Sequence, residues 1–168
     1  MLTYLVHLLV SLFAAVDLSS SIEPVTPKLD PLTRLEWAFY VVRAGDDVGV
    51  DPRLIAAVIE HESDWKNLPR NATNDYGLMQ VHWQPQGTQE TWLAGLTEKD
   101  LLDPRTNILA GARELAHLRA FCFQRDHGAG HHWVGHYKWG VVVMSEVYGN
   151  TILWRQQRLQ RHRSRTSS

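Results

Sequence analysis

Glu62 is the residue of this chain best placed to do chemistry. It closes the run LIAAVIEHE, in which Leu54, Ile55, Val58 and Ile59 form an apolar helical stripe. Leu54, Val58 and Glu62 stand at i, i+4 and i+8, so a carboxyl group ends a mostly hydrophobic face. A carboxylate drawn into such surroundings loses water, and its pKa rises toward the range where it can donate a proton near neutral pH. Glu62 is therefore a candidate general acid. On helical spacing alone, a solvated glutamate at a helix end is the competing reading.

Other carboxylates lie close by in sequence. Asp64, two residues on, points to another face of a continuing helix. Glu60 is expected to face solvent or a neighbouring helix. Asp75 sits in an Asn74-Asp75-Tyr76 turn, where bonding to local backbone is the ordinary role of an aspartate. Of the nine histidines, His127, His131, His132 and His136 crowd one segment, and both 127/131 and 132/136 have an i,i+4 spacing that can chelate zinc on a helix. Gly128 and Gly130 interrupt the first pair, and Asp126 is the one acidic partner nearby, so structural or exposed histidines are the preferred reading. His61-Glu62 does not open an HExxH motif, because Trp65 stands where the second histidine belongs.

The elements that must position Glu62 read as helices. Three Asp-Pro pairs, Asp30-Pro31, Asp51-Pro52 and Asp103-Pro104, each precede a helically patterned stretch. Aspartate caps the free amides of a first turn, and proline there loses no hydrogen bond. The first stretch carries Leu35, Ala38, Phe39 and Val42; the second ends in Glu62; the third carries Ile108, Gly111, Leu115 and Leu118. Thr97 and Asp100 have capping-box spacing for a further short helix, and a closing helix is expected from about Ser145 to Arg161. Between Lys66 and Gln89 the composition turns to Asn, Gly, Pro and Gln without sustained strand alternation. Such a long irregular excursion in a helical protein is usually functional. Trp37 and Trp154 are expected in the core.

The 168 residues suffice for one domain with a real core, and 44% hydrophobic with 21% charged residues is ordinary for a folded protein. A formal net charge of −1 supplies no global field for nucleic acid. The first sixteen residues carry no Asp, Glu, Lys or Arg and are followed by the polar DLSSSIEP. This reads as a secretory signal over residues 1–20, with Ala14, Ala15 and Ser19 to Ser21 near the cleavage point. Retention as an uncleaved membrane tether is the alternative. Residues 21–30 read as a linker, 31–160 as the folded domain and 161–168 as a basic tail. The single Cys122 rules out an internal disulfide.

Glu62-Ser63, then Gly77-Leu78-Met79-Gln80 after an Asn-rich loop, then Asp103-Pro104 with Asn107-Ile108 and Gly111, then Tyr137-Lys138-Trp139-Gly140 resemble the ordered motifs of the soluble-lytic-transglycosylase-type domain. The likeness covers roughly Leu35 to Leu159. It implies a mainly α, lysozyme-like single domain with its long irregular loop in the active-site cleft. It implies Glu62 as the catalytic acid and Ser63 as the residue holding its helix end. Met79 and Gln80 would line the sugar cleft, and Tyr137 would orient the catalytic carboxyl. One position departs from the usual Tyr-Asn-x-Gly: Lys138 replaces the Asn. An ammonium near Glu62 would lower its pKa, whereas a side chain turned to solvent, the expected case, would cost little. Indoles stack on sugars, and Trp83, just after Gln80, is the best platform.

The resemblance implies a peptidoglycan lytic transglycosylase, exported to the periplasm or cell wall, monomeric, and needing no cofactor or metal. Ordinary glycosidases use two carboxylates; with Glu62 the one obvious buried candidate, the same group would serve as acid and then base. If Asp75 faced Glu62, a lysozyme-type hydrolase would become the alternative. A non-catalytic wall-binding or assembly protein is the alternative from another class. Small size suggests local wall opening for a secretion or conjugation apparatus.

Overall fold

The computed structural model describes residues 2–86, 90–123, 132–138 and 145–166, with side chains from residue 5 to residue 161 within these ranges. Six α-helices and one minimal hairpin make up the described chain: α1 (Leu2–Ile22), α2 (Pro31–Val48), α3 (Pro52–Glu62), β1 (Asp75–Tyr76), β2 (Val81–His82), α4 (Glu98–Leu101), α5 (Pro104–Phe123) and α6 (Glu146–Thr166). The architecture is mainly α, as the periodicity predicts.

All three Asp-Pro pairs start helices. Asp30 accepts a hydrogen bond from the Thr33 amide at 2.9 Å, Asp51 from the Arg53 amide at 2.8 Å, and Asp103 from the Thr106 amide at 2.9 Å. Each aspartate thus satisfies an amide that the first turn leaves without an intrahelical partner. The Thr97–Asp100 capping box is also formed, at the head of α4.

Helix α3 is the centre of the core. Leu54 through Glu60 are all buried, because α2 and α6 pack on it. Ala56 and Ala57 let those neighbours approach closely, while Ile55, Val58 and Ile59 fill the space between them. Helix α5 packs against α2, and its Ile108, Ala112, Leu115 and Leu118 are fully buried.

The structure differs from the sequence reading at both ends. The segment expected as a linker is structured: α1 runs to Ile22, a 3-10 turn follows at Glu23–Val25, and Ile22 and Thr26 are buried. Arg34 secures it through an ion pair with Glu23 at 3.0 Å. Two apolar contacts, Leu18 and Ile22, dock the second half of α1 on the core, and Asp17 pairs with Arg53 at 2.6 Å. Leu5–Val25 is also long and apolar enough to cross a membrane, with a mean hydropathy of 1.8. At the other end α6 continues to Thr166 rather than stopping near Arg161. Trp37 is buried as expected, but Trp154 is 59% exposed, on the outer face of α6 beneath the Arg158 guanidinium. The buried stripe of α6 is Tyr148, Ile152 and Leu159, which leaves Trp154 half a turn away.

Candidate active site

Glu62 is the last residue of α3, and the sequence stops the helix there for a visible reason. The Ser63 amide and hydroxyl both donate to the Ile59 carbonyl, at 3.0 and 3.1 Å. The chain then takes positive φ at Asp64 (53°) and Trp65 (57°), a left-handed pair that turns it out of the helix. Ser63 is itself buried and acts on the helix end, outside the cleft. Asp64 is exposed and pairs with Lys66 at 2.9 Å.

The Glu62 carboxyl lies in a cleft of about 860 Å³ that the described part of the molecule opens beside α3. Burial raises its pKa; a hydrogen bond from Tyr148 and the charge of Lys138 act against this, and the charge of Asp75 adds to it. The net direction is upward, as required of a general acid. The Tyr148 hydroxyl donates to Glu62 Oε1 at 2.5 Å.

That bond corrects the expectation for Tyr137. The Tyr137 hydroxyl donates instead to the Met79 carbonyl at 2.9 Å, and its ring lies nearly parallel to that of Tyr148, 6.5 Å away. Tyr137 lines the cleft but ties down the opposite wall, while Tyr148 holds the carboxyl. Sequence reasoning missed Tyr148 because a tyrosine on the apolar stripe of a closing helix reads as core. Its polar tip in an otherwise hydrophobic face was the available signal.

Gly77-Leu78-Met79-Gln80 forms the turn between β1 and β2. Asn107 of α5 pins this turn from beneath: its Oδ1 accepts from the Met79 amide at 2.8 Å, and its Nδ2 donates to the Tyr76 and Leu101 carbonyls at 2.8 and 2.9 Å. Gly77 has φ 72°, and a Cβ there would lie 2.4 Å from Asn107 Nδ2, so the approach requires glycine. The Met79 side chain departs from expectation. It is fully buried against Gly111, where a Cβ would come within 2.5 Å of its Sδ, and it does not reach the cleft. Met79 contributes its main chain, and its side chain is core. Gln80 does line the cleft, with Nε2 bonded to the Gly77 carbonyl and Oε1 accepting from Asn71.

Asp75 is not merely a turn aspartate. It lines the same cleft as Glu62 and accepts hydrogen bonds from Thr73, from Asn71 at 2.9 Å and from the His82 ring at 3.0 Å. Burial pushes its pKa up, but these donors outweigh burial and lower it, so Asp75 remains an anion. Lys138 lines the cleft rather than turning away from it, and it depresses Glu62 from there. Trp83 lines the cleft while only 8% exposed, edge-on to Tyr76 at 6.0 Å. Trp92, partly buried against His117, is a second indole on this wall. Glu60, buried under α6, is clamped by Arg155 and Arg158 and takes no part in the cleft.

A second carboxyl on the cleft, Glu114, also escaped the sequence reading. Burial and the nearby Glu90 push Glu114 of α5 up to about 7. Glu114 shares a helical face with Gly111, Leu115 and Leu118, so the same carboxyl-in-an-apolar-face signal that marks Glu62 was present. For the histidine cluster, His127 and His131 lie outside the described residues, as do Asp126, Gly128, Gly130, Trp139 and Gly140. His132 precedes the 3-10 turn Trp133–His136 and His136 ends it, a geometry in which an i,i+4 pair does not share a face.

A mainly helical, lysozyme-like domain with a desolvated carboxyl at a helix end, facing a loop-walled cleft, defines the class. The Transglycosylase SLT domain model matches residues 39–166, and the chain belongs to this family. Among curated proteins, the "Endo-type membrane-bound lytic murein transglycosylase A" of Cronobacter sakazakii (strain ATCC BAA-894) is 28% identical over 99 residues, covering 56% of this chain and 49% of that protein. The chain thus spans about half the length of the relative it matches. No solved structure gives a significant match.

Proposed function

We propose that this protein is a peptidoglycan lytic transglycosylase with Glu62 as its catalytic residue. The observation that carries the reading is the Glu62 carboxyl itself: desolvated, raised in pKa and held by Tyr148 at one wall of a cleft. The protonated carboxyl donates its proton to the glycosidic oxygen between N-acetylmuramic acid and N-acetylglucosamine as the bond from C1 to that oxygen breaks. The resulting carboxylate takes the proton of the muramoyl 6-hydroxyl, whose oxygen forms the new bond to C1. The product ends in a 1,6-anhydro ring, Glu62 is protonated again, and no water is consumed. Acid–base catalysis of this kind contributes on the order of 10²–10⁴-fold. Gln80, Tyr137 and Trp83 are the substrate-binding residues of this reading, while Ser63 and Met79 act indirectly, by fixing the helix end and the cleft wall.

Hydrolysis by the same cleft is the second reading, and Asp75 favours it. An anionic carboxylate sharing the cleft could hold or activate a water. Mass spectrometry of digested wall separates the two. An anhydro product lighter by one water supports transglycosylation; a reducing end that takes up isotope from labelled water overturns it. A purely wall-binding protein would leave the glycan uncut.

Export is part of the same proposal, since the substrate lies outside the cytoplasm. Because Leu18 and Ile22 pack into the core, removal of α1 would expose that core, which favours a retained helix over a cleaved one. The intact mass of protein recovered from the membrane fraction tests this. A role in opening the wall for a secretion or conjugation apparatus is tested by deletion: assembly that stays intact without the protein removes it. The monomeric state is checked by sedimentation.

A further inference from the structure

Helix α5 brings a second unusual carboxyl into the cleft. Leu115 and Leu118 of its inner face are fully buried, and Gly111 is pressed under Met79, so Glu114 is carried to the cleft wall on a rigid, packed element. There it stands with Trp92, Glu90 and Tyr137. Among the described residues no donor hydrogen-bonds or ion-pairs its carboxyl. The Tyr137 hydroxyl is committed as a donor to the Met79 carbonyl. An unpaired carboxylate in such a place costs much more than an unpaired carboxylic acid.

From this placement we propose that Glu114 is a specificity-determining residue of the cleft, whose neutral carboxyl donates a hydrogen bond to an uncharged acceptor oxygen of the glycan strand. The proposal rests on the glycan-cleaving reading of the site. Sugar rings present N-acetyl carbonyls and hydroxyls, and an acid in its neutral form can meet them as a donor. Once ionised it can only accept, and its charge disfavours the carboxylate-bearing muramoyl units. Burial, with the facing Glu90, keeps the neutral form populated up to about pH 7. Among the described residues, the other titratable and charged groups around it are His61, Glu62, Asp75, His82, Tyr137, Lys138 and Tyr148 on the cleft, and His117 beneath Trp92.

Binding is measured on the full chain carrying Glu62→Gln, so that substrate is not consumed. The probe is soluble glycan strands freed of stem peptides, followed by intrinsic tryptophan fluorescence, to which the cleft residues Trp83 and Trp92 contribute. The parent should lose affinity on the order of five- to tenfold, the worth of one hydrogen bond, as pH rises through about 7. Adding Glu114→Gln, which keeps a neutral donor at every pH, should hold the tight value throughout. Adding Glu114→Ala should give the weak value throughout. A Glu114→Gln protein that still follows the parent's pH curve would assign the titration to another group and overturn the proposal. Weak binding by that variant at every pH would do the same, by showing that the carboxylate is the binding form. A parent whose affinity is independent of pH also overturns it. A parent that binds no glycan at any pH refutes the glycan-cleaving reading itself.

Discussion

The Tyr148 hydroxyl donates to Glu62 Oε1 at 2.5 Å, joining residues 86 positions apart in the chain. This bond sets the electrostatics of the acid in a definite direction. It stabilises the ionised form of Glu62 against the burial that favours the neutral form. Tyr148 is positioned in turn by an edge-on contact with His61, whose ring centroid lies 4.8 Å away.

Tyr148→Phe removes the bond that lowers the Glu62 pKa, so that pKa rises further. The acid form then persists to higher pH, and the alkaline limb of kcat/KM moves upward. Loss of orientation should lower kcat on the order of 10- to 10²-fold. Tyr137→Phe, which frees the Met79 carbonyl, should leave that limb much nearer its original place. Paired pH–rate profiles of the two variants check the assignment.

Lys138→Ala should move the same limb in the same direction by a smaller amount, because the side chain is exposed and its field is screened. Added salt should shift the unsubstituted enzyme toward the variant and leave the variant almost unmoved. Rate profiles at low and high ionic strength provide the measurement.

Replacing both Arg155 and Arg158 by Ala leaves the Glu60 carboxylate buried without its partners. Breaking such a pair costs about 3–5 kcal/mol, toward the lower end where the arginines reach solvent. The loss should appear as a fall in Tm. It should also reduce activity at temperatures well below the transition, because the same helix carries Tyr148 to Glu62.

Asn107→Ala removes the partner of three main-chain groups, the Met79 amide and the Tyr76 and Leu101 carbonyls, beneath the Gly77–Gln80 turn. At about 1–3 kcal/mol for each buried group left unsatisfied, it should be among the most damaging single changes in the loop region. Denaturant unfolding measures this. Gly111→Ala, which overpacks Met79 by one methyl group, should cost less, about 1–3 kcal/mol.

Much of the fold was legible because its signals are local. An aspartate before a proline caps the next few amides whatever the rest of the chain does, and all three such starts are present in the structure. The hairpin of two-residue strands was not legible, since two residues are too few to show alternation and the pairing depends on Asn107 from a distant helix. The ordered segment at 21–30 was misread for a related reason. Its Ser and Pro content suits a linker, and only contact with the core makes Ile22 and Thr26 worth burying.

The candidate site divides along the same line. The sequence by itself determined that Glu62 ends an apolar helix, that Ser63 follows it, and that a glycine-led turn supplies the facing wall, because helix periodicity and steric limits at glycine act within a few residues. Tertiary structure alone decided which tyrosine holds the acid, that the Met79 side chain belongs to the core, and that Lys138 and Asp75 face the cleft. A hydrogen-bond partner and the water a carboxyl loses are set by whatever packs against it. For Glu62 that is α6, which no spacing around residue 62 describes.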